Sequence, residues 1–211
     1  MQKIMILLLA TLCVALSAKS PDPVLNTGYT ISRVIFETEN LPFLENAGPG
    51  AFDSYLIMNL PFSPVKKLYL DLKESTGLPL KSRGEAHITI VTPIEYYEVL
   101  RKHISIIEIN GIAKDLEIQT ATFEVVCLGK GAMELSGKLE SVFFIVLKSP
   151  ALVKIRAAIQ KKFIENGGSP GSFDPAHFYP HITVGFTLRD MHEADGVIKD
   201  ESSFFETLQI E

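Results

Sequence analysis

Two similar successions of apolar and polar positions run along this chain. Residues 55–60 form an apolar run of buried-strand length, and Ser63-Pro64 then supply an N-cap and a first helical residue. Val65, Leu68, Tyr69 and Leu72 follow at helical spacing. After a loop at 77–84, the β-branched stretch 85–91 predicts a second strand. The order recurs further on. Residues 142–147 read as a strand, Ser149-Pro150 opens a helix with Leu152, Ile155, Ile159 and Phe163 on one face, a Gly/Pro-rich loop spans 167–173, and residues 179–184 form another strand.

Pro64 and Pro150 are separated by nearly as many residues as His87 and His181, the difference being a longer second loop. The pattern is that of an internal duplication. It predicts an α+β fold of two pseudo-symmetric lobes of antiparallel sheet, with flanking helices, around a central cleft. Between the units, Thr92-Pro93 cap a helix to about His103, and Ser105 with Glu108 form a capping box for a helix ending near Leu116. Strands are expected over 117–128 with a turn at Gly129-Lys130-Gly131, and residues 204–210 close the fold as a last strand.

The ends of the chain set its compartment and its boundaries. Lys3 followed by the apolar run 4–16 has the form of a secretory signal peptide, so residues 1–17 are expected to be removed near Ser17 or Ala18 and the mature chain to be secreted or in the secretory lumen. The run is too short to span a bilayer, and no later segment is long and apolar enough to do so. Residues 18–51 are rich in Pro, Asn, Gly and Glu and read as an N-terminal extension, with a β-branched stretch at 30–36 that is a strand or an ordered part of it. The two-lobed domain then spans 52–211. Only Cys13 and Cys127 occur, and Cys13 lies in the removed segment, so the mature fold rests on packing and not on an internal disulfide.

With 46% hydrophobic and 21% charged residues, the 211-residue chain buries a sizeable core. Its net charge of −5 has the wrong sign for gripping a long nucleic acid duplex, whereas a small or terminal nucleic acid ligand fits.

The chemistry lies on the paired strands His87-Ile88-Thr89-Ile90 and His181-Ile182-Thr183-Val184. Side chains two apart share a face, so each His points with its Thr while the branched residues face the core. Two such strands meeting across a pseudo-two-fold place two imidazoles and two hydroxyls around one cleft. The hydroxyls donate to the non-bridging oxygens of a phosphate, and one imidazole takes a proton while the other gives one. Five His and twelve Thr predict about 0.3 His-x-Thr triplets by chance, yet two occur in equivalent slots of the repeat.

On these motifs the sequence resembles the two-histidine (2H) phosphoesterase superfamily over roughly residues 52–186, and is most similar to its secreted Swiss Army Knife RNA repair-like branch. The resemblance implies metal-independent chemistry on RNA or nucleotide phosphates, typically opening of a 2′,3′-cyclic phosphate or related 2′-5′ phosphodiester chemistry; the expectation is a cofactor-free monomer that hydrolyses 2′,3′-cyclic nucleotide or RNA-end phosphodiesters. His87 and His181 would be the acid/base pair, in either order, and Thr89 and Thr183 the phosphate ligands. The alternative is a module that keeps the cleft and binds a nucleotide or phosphate without turnover.

Further candidates are weaker. Tyr179 shares parity with His181 and is a candidate for stacking on a base; Glu85 shares parity with His87 and is a candidate for orienting it. Phe186 falls on the core side. Lys81, Arg83 and Lys130 read as solvated loop charges, and His103 and His192 as a helix-end and a surface residue. Asp174, His177 and His181 would meet as metal ligands only on a helix, which Pro180 and the extended His181 strand argue against.

Overall fold

Each of the two successions folds into a motif strand paired to the strand that opens its unit. The computed structural model describes residues 28–211, so the expected signal segment 1–17 lies outside the described residues. In chain order the elements are β1 (Tyr29–Ile31), β2 (Asn46–Ala47), β3 (Ser54–Asn59), α1 (Phe62–Thr76), β4 (His87–Val91), α2 (Ile106–Asp115), β5 (Glu124–Leu135), β6 (Lys138–Lys148), α3 (Pro150–Glu165), β7 (His181–Phe186), β8 (Phe204–Glu206) and β9 (Leu208–Ile210). Strands β2-β3-β4 make one antiparallel sheet, β7-β6-β5-β8 a second, and β1 pairs in parallel with β9. The fold is α+β with antiparallel sheets carrying the motifs. Among the described residues no helix is long and apolar enough to cross a membrane.

The duplication reaches down to the register. In the first unit Asn59 faces His87 and Ile57 faces Thr89; in the second Val146 faces His181 and Phe144 faces Thr183. Both ladders then slip by one residue, leaving Ile90 and Val184 as the extra residue of a β-bulge. The fourth position of each motif is thus a bulge. Such an insertion twists the strand and re-aims the side chains beside it, as is common next to reactive sites.

One hydrophobic cluster runs through both units. Met58, Ile88 and Ile90 of the first share it with Ile145, Ile182 and Val184 of the second, and α1 packs on β7 while α3 packs on β4. The N-terminal extension contributes too, because Ile31 and Ile35 are buried in the same cluster.

Several expected details differ. Ser149 does cap α3, accepting from the Leu152 amide at 3.1 Å with Pro150 behind it, but α1 starts earlier, with Pro61 at the cap and Pro64 inside its first turn. A first-turn amide has no intrahelical partner to lose, so proline fits there as well. The Thr92 capping box forms, yet the helix after it is a π turn (Glu95–Val99) followed by a 3-10 turn (Leu100–Lys102). The Ser105–Glu108 box and its helix form as expected. Gly129 and Gly131 lie inside β5 and not in a turn. A Cβ on either would stand 2.4 Å from Phe144 or from Val197, so these glycines admit close packing. The hairpin turns instead at Ser136 and Gly137, both with positive φ. Bulging at Val184 also reverses the alternation, so Phe186 is half-buried against the smaller cluster of Val142, Phe144 and Val197 and not in the main core.

Candidate functional site

β7 begins at His181, and the carbonyl two residues before it fixes the ring. His181 Nδ1 lies 2.7 Å from the Tyr179 carbonyl, which can only accept, so Nδ1 carries the proton and Nε2 presents a lone pair. Lys199 Nζ stands 3.2 Å from Nε2 and donates to it. Burial and the Lys199 charge, in that order, push the His181 pKa down to about 3 against the pull of the Tyr179 hydrogen bond and Asp190. The ring is therefore neutral at ordinary pH.

Asp190, four residues beyond β7, gathers the polar groups. Its Oδ2 accepts from Thr183 Oγ1 at 3.0 Å and Arg83 Nη2 at 2.9 Å, and its Oδ1 accepts from Lys199 Nζ at 2.7 Å. Burial alone would raise its pKa, but Lys199, His192 and Arg83 hold the carboxyl well below the usual range. Lys199 is itself buried, and that desolvation lowers its pKa against the Asp190 pair.

β4 contacts β7 without hydrogen-bonding to it, which brings the first motif to the same place. Glu85 Oε1 lies 3.3 Å from His87 Nδ1, at ion-pair distance but without an aligned hydrogen bond. Burial lowers the His87 pKa, Arg83 adds to this, and Glu85 and Asp190 oppose it. Asp190 thus acts on both imidazoles. Thr89, half-buried on the His87 face, makes no hydrogen bond with its hydroxyl among the described residues.

The two motif strands are held in place by one buried guanidinium. Arg156 of α3 donates from Nη1 to the Ile90 carbonyl, the bulge of the first motif, at 2.7 Å. From Nη2 and Nε it reaches the carbonyls of Asp174, Pro175 and His177, just ahead of the second motif, and the Glu95 carboxylate at 2.8 Å. Phe173 and Phe178 flank it at 4.5 and 4.9 Å.

Two His-x-Thr strands in matching bulged register are one part of the assignment, and a family comparison decides it: the Swiss Army Knife, 2H phosphoesterase domain matches residues 54–192. The chain belongs to this 2H phosphoesterase family. No curated protein and no solved structure matches it.

Of the candidate residues in this 2H phosphoesterase, His87, His181 and Thr183 share the surroundings of Asp190, and Thr89 follows His87 on β4. Tyr179 contributes its carbonyl to His181, while its ring packs edge-on against His177 at 5.3 Å. Tyr179 lines an open groove of about 680 Å³ with Val153, Phe178, Pro180 and Lys199; neither motif histidine lines it. Arg83 reads as a solvated charge in the sequence and instead pairs with Asp190. Lys130 lies over Phe143 and Phe205, and the Lys81 backbone pairs with Phe186. His177 pairs with Glu193 and Asp174 caps the Ala176 amide, so neither turns toward His181. His103 closes a 3-10 turn and His192 is exposed beside Asp190.

Sequence reasoning missed Asp190, Lys199 and Arg156. The one trace of Lys199 is its place two residues after the apolar Val197, which the structure buries, in an otherwise polar stretch. Arg156 sits one position after Ile155 on the helix face that carries Leu152, Ile159 and Phe163.

Proposed function

We propose that this 2H phosphoesterase hydrolyses 2′,3′-cyclic nucleotide or RNA-end phosphodiesters, acting as a monomer in the secretory pathway or outside the cell. His87 and His181 act as the acid–base pair, and Thr89 and Thr183 donate to phosphate oxygens. The observation that carries this is the matched register of the two bulged His-x-Thr strands beside one shared carboxylate.

The tautomer of His181 supports one order of the roles. His181, with its lone pair on Nε2, is the base; it takes a proton from water as the water oxygen forms its bond to phosphorus. The bond from phosphorus to the 2′ or 3′ oxygen breaks, and that oxygen takes the proton of His87; burial disfavours the His87 imidazolium and Glu85 and Asp190 only partly offset this, so the protonated acid is supplied at acid pH. The reaction consumes one water and leaves a ring-opened phosphate monoester. The groove that Tyr179 and Lys199 line receives the base, next to His181, which Lys199 touches.

The test is turnover of a panel of 2′,3′-cyclic mononucleotides and short RNAs with cyclic ends by purified mature protein, in the presence of a strong chelator. Ring opening of at least one substrate is the expected result. Binding of these ligands without any turnover would favour the non-catalytic module instead.

A further inference from the structure

The two motifs are in different states. Thr89 leaves its hydroxyl without a partner among the described residues, whereas both reactive atoms of the second motif are engaged, Thr183 Oγ1 by Asp190 and His181 Nε2 by Lys199. A threonine hydroxyl has one proton to give. If Thr183 is to hold a phosphate oxygen, it must release Asp190.

The groups around Asp190 are those that an oxyanion requires. Two cations and one hydroxyl, Arg83 Nη2, Lys199 Nζ and Thr183 Oγ1, converge on its two oxygens at 2.7–3.0 Å. A carboxylate and a phosphodiester each present two equivalent anionic oxygens, and both take charge-assisted hydrogen bonds from such a set. Asp190 follows β7 on the connection to β8, which carries only short 3-10 turns (Glu193–Asp195, Glu201–Ser203) and no sheet pairing. Its withdrawal breaks no ladder.

We propose that Arg83, Thr183 and Lys199 form the cradle for the non-bridging phosphate oxygens, and that Asp190 fills this cradle in the free protein, so that substrate enters by exchange with an internal carboxylate. The inference rests on the reading of Thr183 as a phosphate ligand. It adds two cations to the site, one of which, Lys199, lies beyond the matched residues 54–192. It also frees His181, because a Lys199 ammonium drawn to phosphate leaves the Nε2 lone pair open to water.

Calorimetric titration with inorganic phosphate at fixed ionic strength tests this in wild type, Asp190→Asn and Asp190→Ala. Removing the competing charge is expected to tighten phosphate binding at least about tenfold, between the roughly fivefold of one unit charge in bulk water and the roughly thousandfold of one near a protein surface, and Lys199→Met added to Asp190→Ala should abolish the gain. Folded Asp190 variants that bind phosphate no tighter than wild type would overturn the proposal. Should neither variant fold, ¹⁵N NMR of wild type decides: the His181 Nε2 resonance shifts on phosphate addition if the exchange occurs, and an unchanged resonance contradicts it. Turnover of a cyclic nucleotide, measured in parallel, separates the two readings. Tighter phosphate binding without turnover in any protein keeps the cradle and removes the catalytic assignment; turnover with weaker phosphate binding in the variants does the reverse.

Discussion

Replacing Arg156 by Met isolates the clamp between the two motif strands. The side chain is 1% exposed and donates to four carbonyls and the Glu95 carboxylate. Methionine keeps an unbranched apolar stem between Phe173 and Phe178 but satisfies none of those acceptors. Breaking a buried ion pair from one side costs about 3–5 kcal/mol; the partial exposure of Glu95 softens that loss, but four carbonyls are left without their donor as well, so the same range is expected. For a chain of this size each kcal/mol moves the melting temperature by about 2–4 °C, so a fall of roughly 6–20 °C is expected in thermal unfolding. Adding Glu95→Gln removes the stranded carboxylate while leaving an oxygen for the Thr92 cap, so the double variant should recover at least about 1 kcal/mol relative to additivity. At temperatures where Arg156→Met remains folded, kcat should still fall, since the Ile90 bulge and the approach to His181 lose their common anchor. A loss below about 1 kcal/mol, or additive single and double variants, would refute this reasoning.

Thr89→Val and Thr183→Val keep the branched shape and remove a donor to an anionic oxygen, so each should weaken phosphate-ligand affinity roughly ten- to a hundredfold by calorimetry; two variants with wild-type affinity would remove the threonines from the site. The pH profile of kcat/KM should be bell-shaped and centred on the acid side. In the proposed roles, His181 as base becomes neutral as pH rises through about 3, while His87 as acid, its pKa lowered by burial, loses its proton at a pH below that of a free imidazole, and activity still rising above pH 7 would contradict the assignment. Stability should also rise with pH between about 3 and 6.5, because the unfolded chain protonates His181 in that range and the native one does not; a His181→Gln variant should lose part of that slope in melting experiments. Gly129→Ala should destabilise by about 1–3 kcal/mol in denaturant unfolding, since its Cβ would stand 2.4 Å from the buried Phe144 ring.

Local periodicity carries the part of the fold that is legible in the sequence. The motif strands, the Ser149 cap and the four buried apolar residues of α3 all sit where alternation, capping chemistry and helical spacing place them. The exceptions are residues whose conformation depends on distant partners. Glycine marks a turn when only its own backbone is considered, but Gly129 and Gly131 are small because Phe144 and Val197 lie over them. The Phe186 face could not be read because the bulge at Val184 is a property of the pairing with β6. In the site, His and Thr were legible through their repetition. Asp190 and Lys199 occur once each in a polar stretch, and only folding brings them onto Thr183 and His181, where their charges are buried against each other. Arg156 likewise looks like an ordinary helix cation until the loop before β7 closes over it.

The most direct measurement of the central claim is ³¹P NMR of a 2′,3′-cyclic mononucleotide incubated, with chelator, with the purified wild-type protein, His87→Ala and His181→Ala. The account predicts conversion of the cyclic phosphate signal to a monoester by the wild type. It predicts a loss of about 10²–10⁴ in rate for each variant with the fold retained by circular dichroism. Wild-type rates in both folded variants, or turnover that the chelator abolishes and a divalent metal restores, would contradict it.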